Sequence, residues 1–463
     1  MIIYSIINEF MKNDITKLTA YEIGILLEKR KIDPISLLEL FLENYYLAEE
    51  DTKRAVSKVL KKEAFLEAKL SWERQKNNNR LSIFDGIPSG WKDVIDIKNY
   101  PAFGGSKLLK QLRKNIKVKD ACVVTNARKS GIIPLFKTST VEFAFGGLGL
   151  NSSQQYPKNQ MYKDLRCPGG SSSGSAATVF SNLIPIAIGT DTAGSIRIPS
   201  CWHSLVGFKP TYNNISCKGV LPLSKSYDTL GTICKTVRDS AILYNILSKD
   251  NLSLFSIKKK CKIGIVTDFN FSYLETKDKL IFEKFINKLV KQGFNLKNIR
   301  VPEFNIANKI IEQEGGIVNY EAWNYWKASI YKGEKLIDKN VLSRFHLGKN
   351  MSDKVFLDIK YKINKLKKKI YNNFDSIDFI ILPTLNIKAP EIKKITDHER
   401  YIFYNNLVLG NTRIANLFNF PAITMPIKKN YWLSLSVFCK EKKDELLLSV
   451  AQEIENVIYD YSN

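Results

Sequence analysis

The sequence predicts an α/β protein that folds as a single large unit. Short apolar runs that suit buried strands alternate with amphipathic helical patterns from one end of the chain to the other. The chain has 463 residues, of which 44% are hydrophobic, so it can bury a substantial core. No internal repeat, low-complexity linker or boundary interrupts the alternation, which favours one domain over residues 1–463.

Helix-start signals mark the N-terminal part of the chain. Thr19 and Glu22 have the spacing of a capping box, and Asp33 followed by Pro34 is a typical N-cap and first helical residue. Each pair precedes apolar residues at helical spacing, which predicts two helices before residue 50. A further, charged helix is predicted over residues 52–80.

The middle of the chain combines strands, helices and glycine-rich turns. Trp91–Ile97 is expected to be a strand or the end of one, and residues 121–136 begin as a helix and end in an apolar strand. A helix should begin near Ser172 or Ser173, because serine is a good N-cap. The apolar run Leu183–Ile188 predicts the strand that follows.

The last part of the chain is expected to return to the core after a basic helical region. Its predicted elements are a strand at Lys260–Val266, a helix at Lys277–Gln292, helices across 300–375, a strand at Ile377–Pro383, a turn, helix and strand within Asn411–Pro426, a strand at Leu433–Phe438 and a helix at Asp444–Tyr459.

The net charge of +24 has two interpretations. A basic surface could contact nucleic acid. Alternatively, lysine, asparagine and isoleucine are over-used throughout, as an AT-rich coding sequence would produce. The clusters Lys258–Lys260 and Lys367–Lys369 are short and lack interleaved aromatic residues, which favours the compositional interpretation.

Cysteine, histidine and hydropathy patterns bound the remaining possibilities. The seven cysteines form no Cys-x-x-Cys pair and there are only three histidines, so a zinc site is not expected. The glycines of Glu142–Gly149 do not match the dinucleotide fingerprint G-x-G-x-x-G, and no cofactor is expected. No apolar run reaches the roughly 18 to 20 residues that span a bilayer. Met1–Asp14 lacks a basic region and a small-residue cleavage site, which argues against a signal peptide. We therefore expect a cytoplasmic protein with reduced thiols and no membrane partner.

One stretch, Cys167–Thr211, gathers glycines, serines and charged side chains around an apolar strand. Burying so many polar groups is costly unless they have partners, which indicates chemistry rather than core packing. The helix predicted after Ser171 would present free N–H groups to developing negative charge. The small residues Thr192–Ser195 could bring backbone N–H groups close to a ligand oxygen. The alternative is a glycine-rich turn that Ser195 caps.

A serine nucleophile needs a base, and the sequence offers two kinds. Gly170–Gly174 (GSSSG) matches a nucleophile elbow centred on Ser172, but polar residues and a proline precede it where that pattern requires a buried strand. The other known base is a lysine held neutral. Lys92 has apolar neighbours and is either such a base or an ordinary lysine whose amine reaches solvent. The usual base is a histidine, and the histidines available for that role are His203, His346 and His398.

These residues resemble the amidase signature family, which includes amidases, fatty-acid amide hydrolase and the glutaminase (A) subunit of the tRNA-dependent amidotransferase. The resemblance extends over nearly the whole chain, and its central motif is long and specific. It implies an α/β fold with a single large mixed central β-sheet covered by helices on both faces. The matching segments are Gly86–Pro88, Trp91–Asp93, Pro168–Ser172, Gly189–Pro199, Gly207–Thr211 and Asp228–Gly231.

The resemblance implies a Ser-Ser-Lys triad. Ser195 would be the nucleophile, Ser171 the bridging serine after a cis Gly170–Ser171 peptide bond, and Lys92 the base. A lysine must be neutral to accept a proton, so the pKa of Lys92 would have to fall from about 10.4 to roughly 7 to 8. The oxyanion hole and substrate contacts would come from Thr192, Ala193, Gly194, Gly170 and Ser172, and the bracing of the loop from Asp191 and Arg197.

The implied activity is hydrolysis of a carboxylic amide through an acyl-enzyme on Ser195, without metal or cofactor. The resemblance divides the single domain into a catalytic core at about 80–245, a more variable helical region at about 270–375 and a C-terminal return over 376–463.

Departures from the family bear on the substrate. Ala193 stands where many members have glycine, which is tolerable if φ there is negative. Ser172 and Ser173 stand before Gly174 where Ser-Gly-Gly is commoner, which is a mild change. Leu347–Ile370 lacks the tyrosine cluster of the glutaminase subunit's lid, and the part from Tyr431 onward is shortened. This favours an amidase of a small-molecule amide over a glutaminase that passes ammonia to partner subunits and tRNA, although both stay open, as does a homodimer. A non-catalytic binding protein on the same fold is the remote alternative.

Overall fold

A computed structural model of the chain describes residues 15–248, 261–269 and 273–459. The expectation about a signal peptide at Met1–Asp14 lies outside these residues, as does the first residue of the strand expected at Lys260–Val266. None of the helices in the described ranges is both long enough and apolar enough to cross a membrane.

The described residues form one 11-stranded sheet. Its order is β1-β3-β2-β4-β6-β5-β10-β11-β9-β7-β8, with parallel pairing within β3-β2-β4 and β9-β7-β8 and antiparallel pairing elsewhere. The strands are β1 (Val56–Val59), β2 (Pro88–Lys92), β3 (Ile133–Thr138), β4 (Ile186–Asp191), β5 (Val206–Lys209), β6 (Thr229–Cys234), β7 (Lys262–Val266), β8 (Asn295–Ile299), β9 (Phe379–Pro383), β10 (Ala422–Pro426) and β11 (Ser434–Phe438).

Helices and loops cover the sheet. Successive side chains of a strand point to opposite faces, and every residue of β2, β3, β4, β5, β6, β9 and β11 is buried, so both faces are covered. The predicted α/β fold with one large mixed sheet is confirmed. The division of the chain into a core, a helical region and a return stays a prediction.

The helices that surround the sheet follow in chain order. They are α1 (Ala20–Glu28), α2 (Pro34–Leu47), α3 (Glu50–Lys53), α4 (Lys61–Lys76), α5 (Lys107–Arg113), α6 (Cys122–Lys129), α7 (Ser173–Phe180), α8 (Arg197–Trp202), α9 (Val237–Ser248), α10 (Thr276–Lys291), α11 (Pro302–Glu314), α12 (Ile317–Ile330), α13 (Lys339–Lys349), α14 (Asp353–Asn373), α15 (His398–Leu417) and α16 (Asp444–Tyr459).

The two predicted N-terminal caps are confirmed. Thr19 Oγ1 accepts from the Glu22 N–H at 3.2 Å, and the Thr19 N–H donates back to Glu22 Oε2 at 2.8 Å. Asp33 Oδ1 accepts from the first free N–H groups of α2, those of Ile35 and Ser36, at 2.9 Å each. These contacts satisfy N–H groups that have no partner within the helix, which fixes where each helix begins.

Several predicted boundaries were wrong, because pairing in the sheet decides them. Part of the charged helix expected at 52–80 is the strand β1, which pairs with β3 at the edge of the sheet. The strand expected at Trp91–Ile97 is β2, which ends at Lys92, where the Lys92 carbonyl accepts from Val94 and Ile95 N–H groups in a turn. The strand expected at Leu183–Ile188 is β4, shifted three residues onward. The short strands β5, β6 and β8 were not predicted, because four to six residues carry little periodic signal.

The sheet brings Lys92 close to part of the polar stretch Cys167–Thr211. Strands β2 and β4 are parallel neighbours, with Ser89 opposite Ile186 and Trp91 opposite Ile188. Their carboxyl ends therefore meet at one edge, where α/β sheets usually place their sites. Lys92 ends β2, and Asp191 ends β4.

Candidate active site

Lys92 is enclosed at the end of β2. It is 0% exposed, and its Nζ lies 2.7 Å from Ser171 Oγ and 2.7 Å from Thr190 Oγ1. The position follows from the parallel pairing of β2 with β4, which brings Thr190 beside the end of β2. Lys92 is therefore not a lysine whose amine reaches solvent.

Burial lowers the pKa of the Lys92 ammonium to about 7, although the negative charges of Asp228 and Asp191 oppose the shift. This value lies within the range that the resemblance demanded. A substantial fraction of the Lys92 side chain is thus neutral near pH 7 and can accept a proton.

Ser171 is held by its main chain. The Gly170–Ser171 peptide bond is cis, as the resemblance implied. The Ser171 carbonyl accepts from the Val141 N–H at 3.2 Å and from Thr140 Oγ1 at 2.9 Å. With its carbonyl held in this way, the fully buried Ser171 side chain has a fixed position beside Lys92.

The Asp191 carboxylate organises the turn that follows β4. Asp191 Oδ1 accepts from the Gly194 N–H at 2.8 Å, and Asp191 Oδ2 accepts from the Ile196 N–H at 3.2 Å. Arg197 donates to both carboxylate oxygens, at 2.9 and 3.0 Å. Burial alone would raise the pKa of Asp191, but Arg197 and the hydrogen bonds hold it at about 2. Asp191 is therefore ionised at neutral pH, and its hydrogen bonds fix the backbone of the turn.

Helix α15, which lies in the C-terminal part of the chain, also holds this turn in place. Thr412 Oγ1 donates to the Ala193 carbonyl at 2.7 Å, and Asn416 Nδ2 donates to the Asp191 carbonyl at 3.1 Å. These contacts join residues more than 200 positions apart. The orientation of the turn thus depends on the C-terminal part of the chain.

Gly194 occupies a position that no larger residue fits. Its φ is +130°, and a Cβ at this position would lie 2.0 Å from Thr412 Oγ1. We expect Gly194→Ala to lower kcat/KM by about 100-fold, because it displaces the turn, and to lower the free energy of unfolding by about 3 kcal/mol. Activity assays and chemical denaturation measure the two effects.

Gly410 provides the matched control for that substitution. It lies inside α15, and a Cβ there would meet its nearest neighbouring atom at 3.8 Å. Gly410→Ala should leave kcat/KM unchanged and alter stability by no more than about 1 kcal/mol. Equal effects of the two substitutions would contradict the steric explanation.

A cavity of about 520 Å³ opens above this turn. Thr192, Ala193 and Ser195 line it, and Ser195 is 5% exposed. Lys92 and Ser171 are not among its lining residues and are fully buried. A molecule in the cavity would therefore meet Ser195 and neither Lys92 nor Ser171.

Two residues predicted at the substrate have other contacts. The Gly170 N–H donates to the Gly147 carbonyl at 2.8 Å, and the Ser172 N–H donates to the Ser195 carbonyl at 3.1 Å. Ser172 Oγ does not cap α7 as expected and instead lies 3.3 Å from the Thr190 carbonyl. Neither Gly170 nor Ser172 is among the residues that line the cavity.

None of the three histidines, all of which the structure describes, lines the cavity. His203 is buried with Nδ1 2.9 Å from the Pro199 carbonyl, and burial lowers its pKa to about 4. His346 pairs with Glu334, and His398 contacts Asn340. Within the described ranges no group of three or more His, Cys, Asp or Glu residues could hold a metal ion.

Several residues around the site were not found from the sequence. Thr190 lies within the polar stretch, so its nearness to Lys92 could have been suspected. Asp228 accepts from Thr192 Oγ1 at 2.6 Å, whereas the sequence places it only within the matching segment Asp228–Gly231. Arg344 and Arg413 also line the cavity, but nothing in the sequence distinguishes them among 70 lysines and arginines.

The chain is similar to known proteins over most of its length. It is 28% identical to 2-amino-5-chloromuconic acid deaminase of Comamonas testosteroni, covering 81% of this chain and 82% of that protein. It is also 28% identical to the (A) subunit of glutamyl-tRNA(Gln) amidotransferase from Sulfurihydrogenibium sp. (strain YO3AOP1), covering 96% of this chain and 98% of that protein.

Solved structures share the fold. The crystal structure of an amidase matches with a TM-score of 0.86 and 24% identity, covering 95% of this chain and 100% of that one. The 6-aminohexanoate cyclic dimer hydrolase complexed with substrate matches with a TM-score of 0.82 and 21% identity, covering 96% and 97%. The protein-family model named Amidase matches residues 36–448, which is most of the sequence, and the chain therefore belongs to the Amidase family.

Proposed function

We propose that this chain hydrolyses a carboxylic amide C–N bond, with Ser195 as the nucleophile, Ser171 as the bridging serine and Lys92 as the base. The observation that carries this proposal is the 2.7 Å contact between the fully buried side chains of Lys92 (Nζ) and Ser171 (Oγ). The next residue, Ser172, donates its N–H to the carbonyl of Ser195, which lines the cavity. A lysine so placed has no solvent to reach, and its lowered pKa suits proton transfer. Membership of the Amidase family supports the reaction class.

The proton path runs from the nucleophile to the base. Neutral Lys92 takes the hydroxyl proton of Ser171, and Ser171 takes that of Ser195 while Ser195 Oγ attacks the amide carbonyl. As the tetrahedral intermediate collapses, the proton returns through Ser171 to the leaving nitrogen, which departs as ammonia or an amine. Water then attacks the acyl carbonyl and gives a proton to Ser171, which passes its own to Lys92. As the ester bond breaks, a proton returns through Ser171 to Ser195 Oγ, which releases the acid and restores the Ser195 hydroxyl.

The turn after β4 supplies the donors for the oxyanion. The Gly194 N–H donates to Asp191, so we assign the oxyanion hole to the N–H groups of Thr192, Ala193 and Ser195. Asp191 and Arg197 brace this turn through the contacts described above and take no proton, because Asp191 stays ionised. Gly170 and Ser172 position Ser171 and Ser195 through their main-chain hydrogen bonds.

Ammonia release from a panel of small primary amides tests the proposal. Purified full-length chain should release ammonia and the matching acid from at least one member of the panel, with an acyl group on Ser195 detectable by mass spectrometry at short times. The absence of ammonia release across the panel, together with no labelling of Ser195 by serine-directed phosphonates, would overturn it.

The pH dependence should report the protonation of Lys92. We expect kcat/KM to rise with pH and level off above about 7, since only neutral Lys92 accepts a proton. Asp228, whose pKa burial raises to about 6, stabilises the charged form of Lys92. In Asp228→Asn the rising limb should therefore move to lower pH. A limb that moves to higher pH, or does not move, would contradict the assignment to Lys92.

A second candidate is the glutaminase component of a tRNA-dependent amidotransferase. Several relatives that are (A) subunits of glutamyl-tRNA(Gln) amidotransferases are 27–29% identical over 89–96% of this chain, which favours it. Against it, Leu347–Ile370 holds a single tyrosine, Tyr361, which is exposed. A glutaminase assay with and without partner subunits separates the two: activity that requires the complex would support the glutaminase, and activity of the chain alone the amidase.

A further inference from the structure

The wall of the cavity carries a cation that the proposed reaction does not use. Arg413 lines the cavity that Ser195 lines, and its side chain is only 6% exposed. It lies on α15 between Thr412 and Asn416, both of which contact the turn of Ser195. The guanidinium therefore has a fixed place relative to the nucleophile.

Arg413 has only one anionic partner among the described residues, and that ion pair is long. Its hydrogen bonds go to main-chain carbonyls of its own helix, from Nε to Leu409 at 3.3 Å and from Nη2 to Asn406 at 3.2 Å. The nearest carboxylate oxygen is Glu312 Oε1, at 3.9 Å from Nη1, and the Glu312 side chain is 44% exposed. A buried charge usually requires an ion partner, so this one is incomplete.

A second arginine makes this part of the wall more cationic. Arg344 also lines the cavity, where it donates to the Phe145 carbonyl at 3.2 Å and lies over the Phe145 ring at 4.3 Å. Burial lowers the pKa of Arg413 to about 10; Glu312 opposes the shift and the like charge of Arg344 adds to it. The other acid in the described lining, Glu314, is bound to Lys362 at 2.8 Å and does not neutralise the pair.

Building on the proposed amide hydrolysis, we propose that the substrate carries a carboxylate, which the Arg413 guanidinium binds while the amide lies at Ser195. A guanidinium offers parallel N–H donors that match the two oxygens of a carboxylate. The enclosed surroundings strengthen this pairing relative to water. A cavity of about 520 Å³ suits a small molecule, which points to the monoamide of a short dicarboxylic acid.

Matched substrates test the proposal. Glutaramate and pentanamide have the same chain length and differ in a carboxylate against a methyl group; succinamate with butanamide and adipamate with hexanamide vary the distance. We expect kcat/KM for the best monoamide to exceed that of its neutral partner about 100-fold, the size of a charged pair formed away from water. Equal values for all three pairs would overturn the proposal while leaving amide hydrolysis intact.

Variants assign the preference to Arg413. Arg413→Gln should reduce the preference to below about tenfold, mainly through a higher KM, because the carboxylate contact is equal in the ground and transition states. Arg413→Lys should retain part of it, and this variant also serves if Arg413→Gln does not fold. Arg300→Gln, which alters an 83% exposed arginine, is the control and should leave the preference unchanged. A preference that survives in Arg413→Gln would contradict the assignment.

A binding measurement separates this proposal from the proposed hydrolysis. Calorimetry should detect binding of glutarate to the Ser195→Ala protein. Adding Arg413→Gln should raise the Kd for glutarate about 100-fold. If no amide is hydrolysed, this measurement still shows whether Arg413 binds a carboxylate. Equal Kd values with and without Arg413 would overturn it.

Discussion

Replacing Ser195 with alanine should lower kcat/KM for amide hydrolysis by at least about 10⁴-fold, because the substitution removes the oxygen that we propose forms the acyl-enzyme. Ser195 is 5% exposed and lines the cavity, so the loss of one hydroxyl leaves the backbone N–H groups of the turn in place. The free energy of unfolding should change by less than about 1 kcal/mol. Steady-state kinetics and chemical denaturation provide the two readouts.

Ser200→Ala is the matched control for Ser195→Ala. Ser200 is fully buried in α8, but its hydroxyl donates to the carbonyl of Ile196, the residue that precedes α8, and it does not line the cavity. This variant should keep its activity within a few-fold. Serine-directed labelling that persists in Ser195→Ala would instead favour a binding protein that kept the fold without the reaction.

Replacing Lys92 with methionine should separate activity from stability. Activity should fall by about 10³-fold or more, because no base remains to start the proton transfer. Stability near pH 7 should rise by on the order of 2 to 4 kcal/mol, because a fully buried amine with a lowered pKa is replaced by an apolar chain of similar length. Such a gain is typical of residues retained for function rather than for folding.

The pH dependence of stability checks the sign of this effect. The folded-state pKa of Lys92, about 7, lies below its unfolded value of about 10.4, so between these values the unfolded chain binds the extra proton. The wild-type free energy of unfolding should therefore gain with pH across roughly pH 7 to 10, by up to about 1.4 kcal/mol per pH unit from this group. Lys92→Met should lose that part of the slope.

Lys209 must be separated from Lys92 in that experiment. Burial also lowers the pKa of Lys209 to about 7, but its Nζ donates to the Pro210 carbonyl, and Lys209 does not line the cavity. Its contribution to the slope is present in both proteins and cancels in their difference. Denaturation curves of the two proteins at several pH values give that difference, and parallel pH dependence would contradict a shifted Lys92.

Local signals were the most reliable part of the sequence. The caps at Thr19 and Asp33 were predicted correctly, because capping hydrogen bonds join residues two or three positions apart. Helix α16 was predicted with its observed bounds, Asp444–Tyr459. Strand boundaries were less accurate: β2 ends at Lys92 because the chain turns there, and the edge strand β1 exists because β3 is available to pair with it.

In the candidate site, too, the identity of the residues follows from local motifs, and their relative positions follow from the fold. Ser171, Ser195 and Lys92 could be selected from the motifs in which they stand. Their relation could not be measured from the sequence, since Lys92 and Ser171 are 79 positions apart and meet only because β2 and β4 pair in parallel. Likewise, only the folded turn brings the Gly194 N–H to Asp191. For this reason our proposed oxyanion hole leaves out the Gly194 N–H, which the sequence had included.

By itself, the sequence determined the family, the α/β alternation and the residues proposed to carry the reaction, because these are written in contiguous motifs and in periodic apolar positions. The folded structure was needed to show that Lys92 is shut off from water and that α15 holds the turn of Ser195. It also showed that Arg413 lines the cavity and that its nearest carboxylate among the described residues, that of Glu312, lies 3.9 Å away. Burial, pKa and cavity charge arise from groups that the fold brings together from distant parts of the chain, and no local pattern records them.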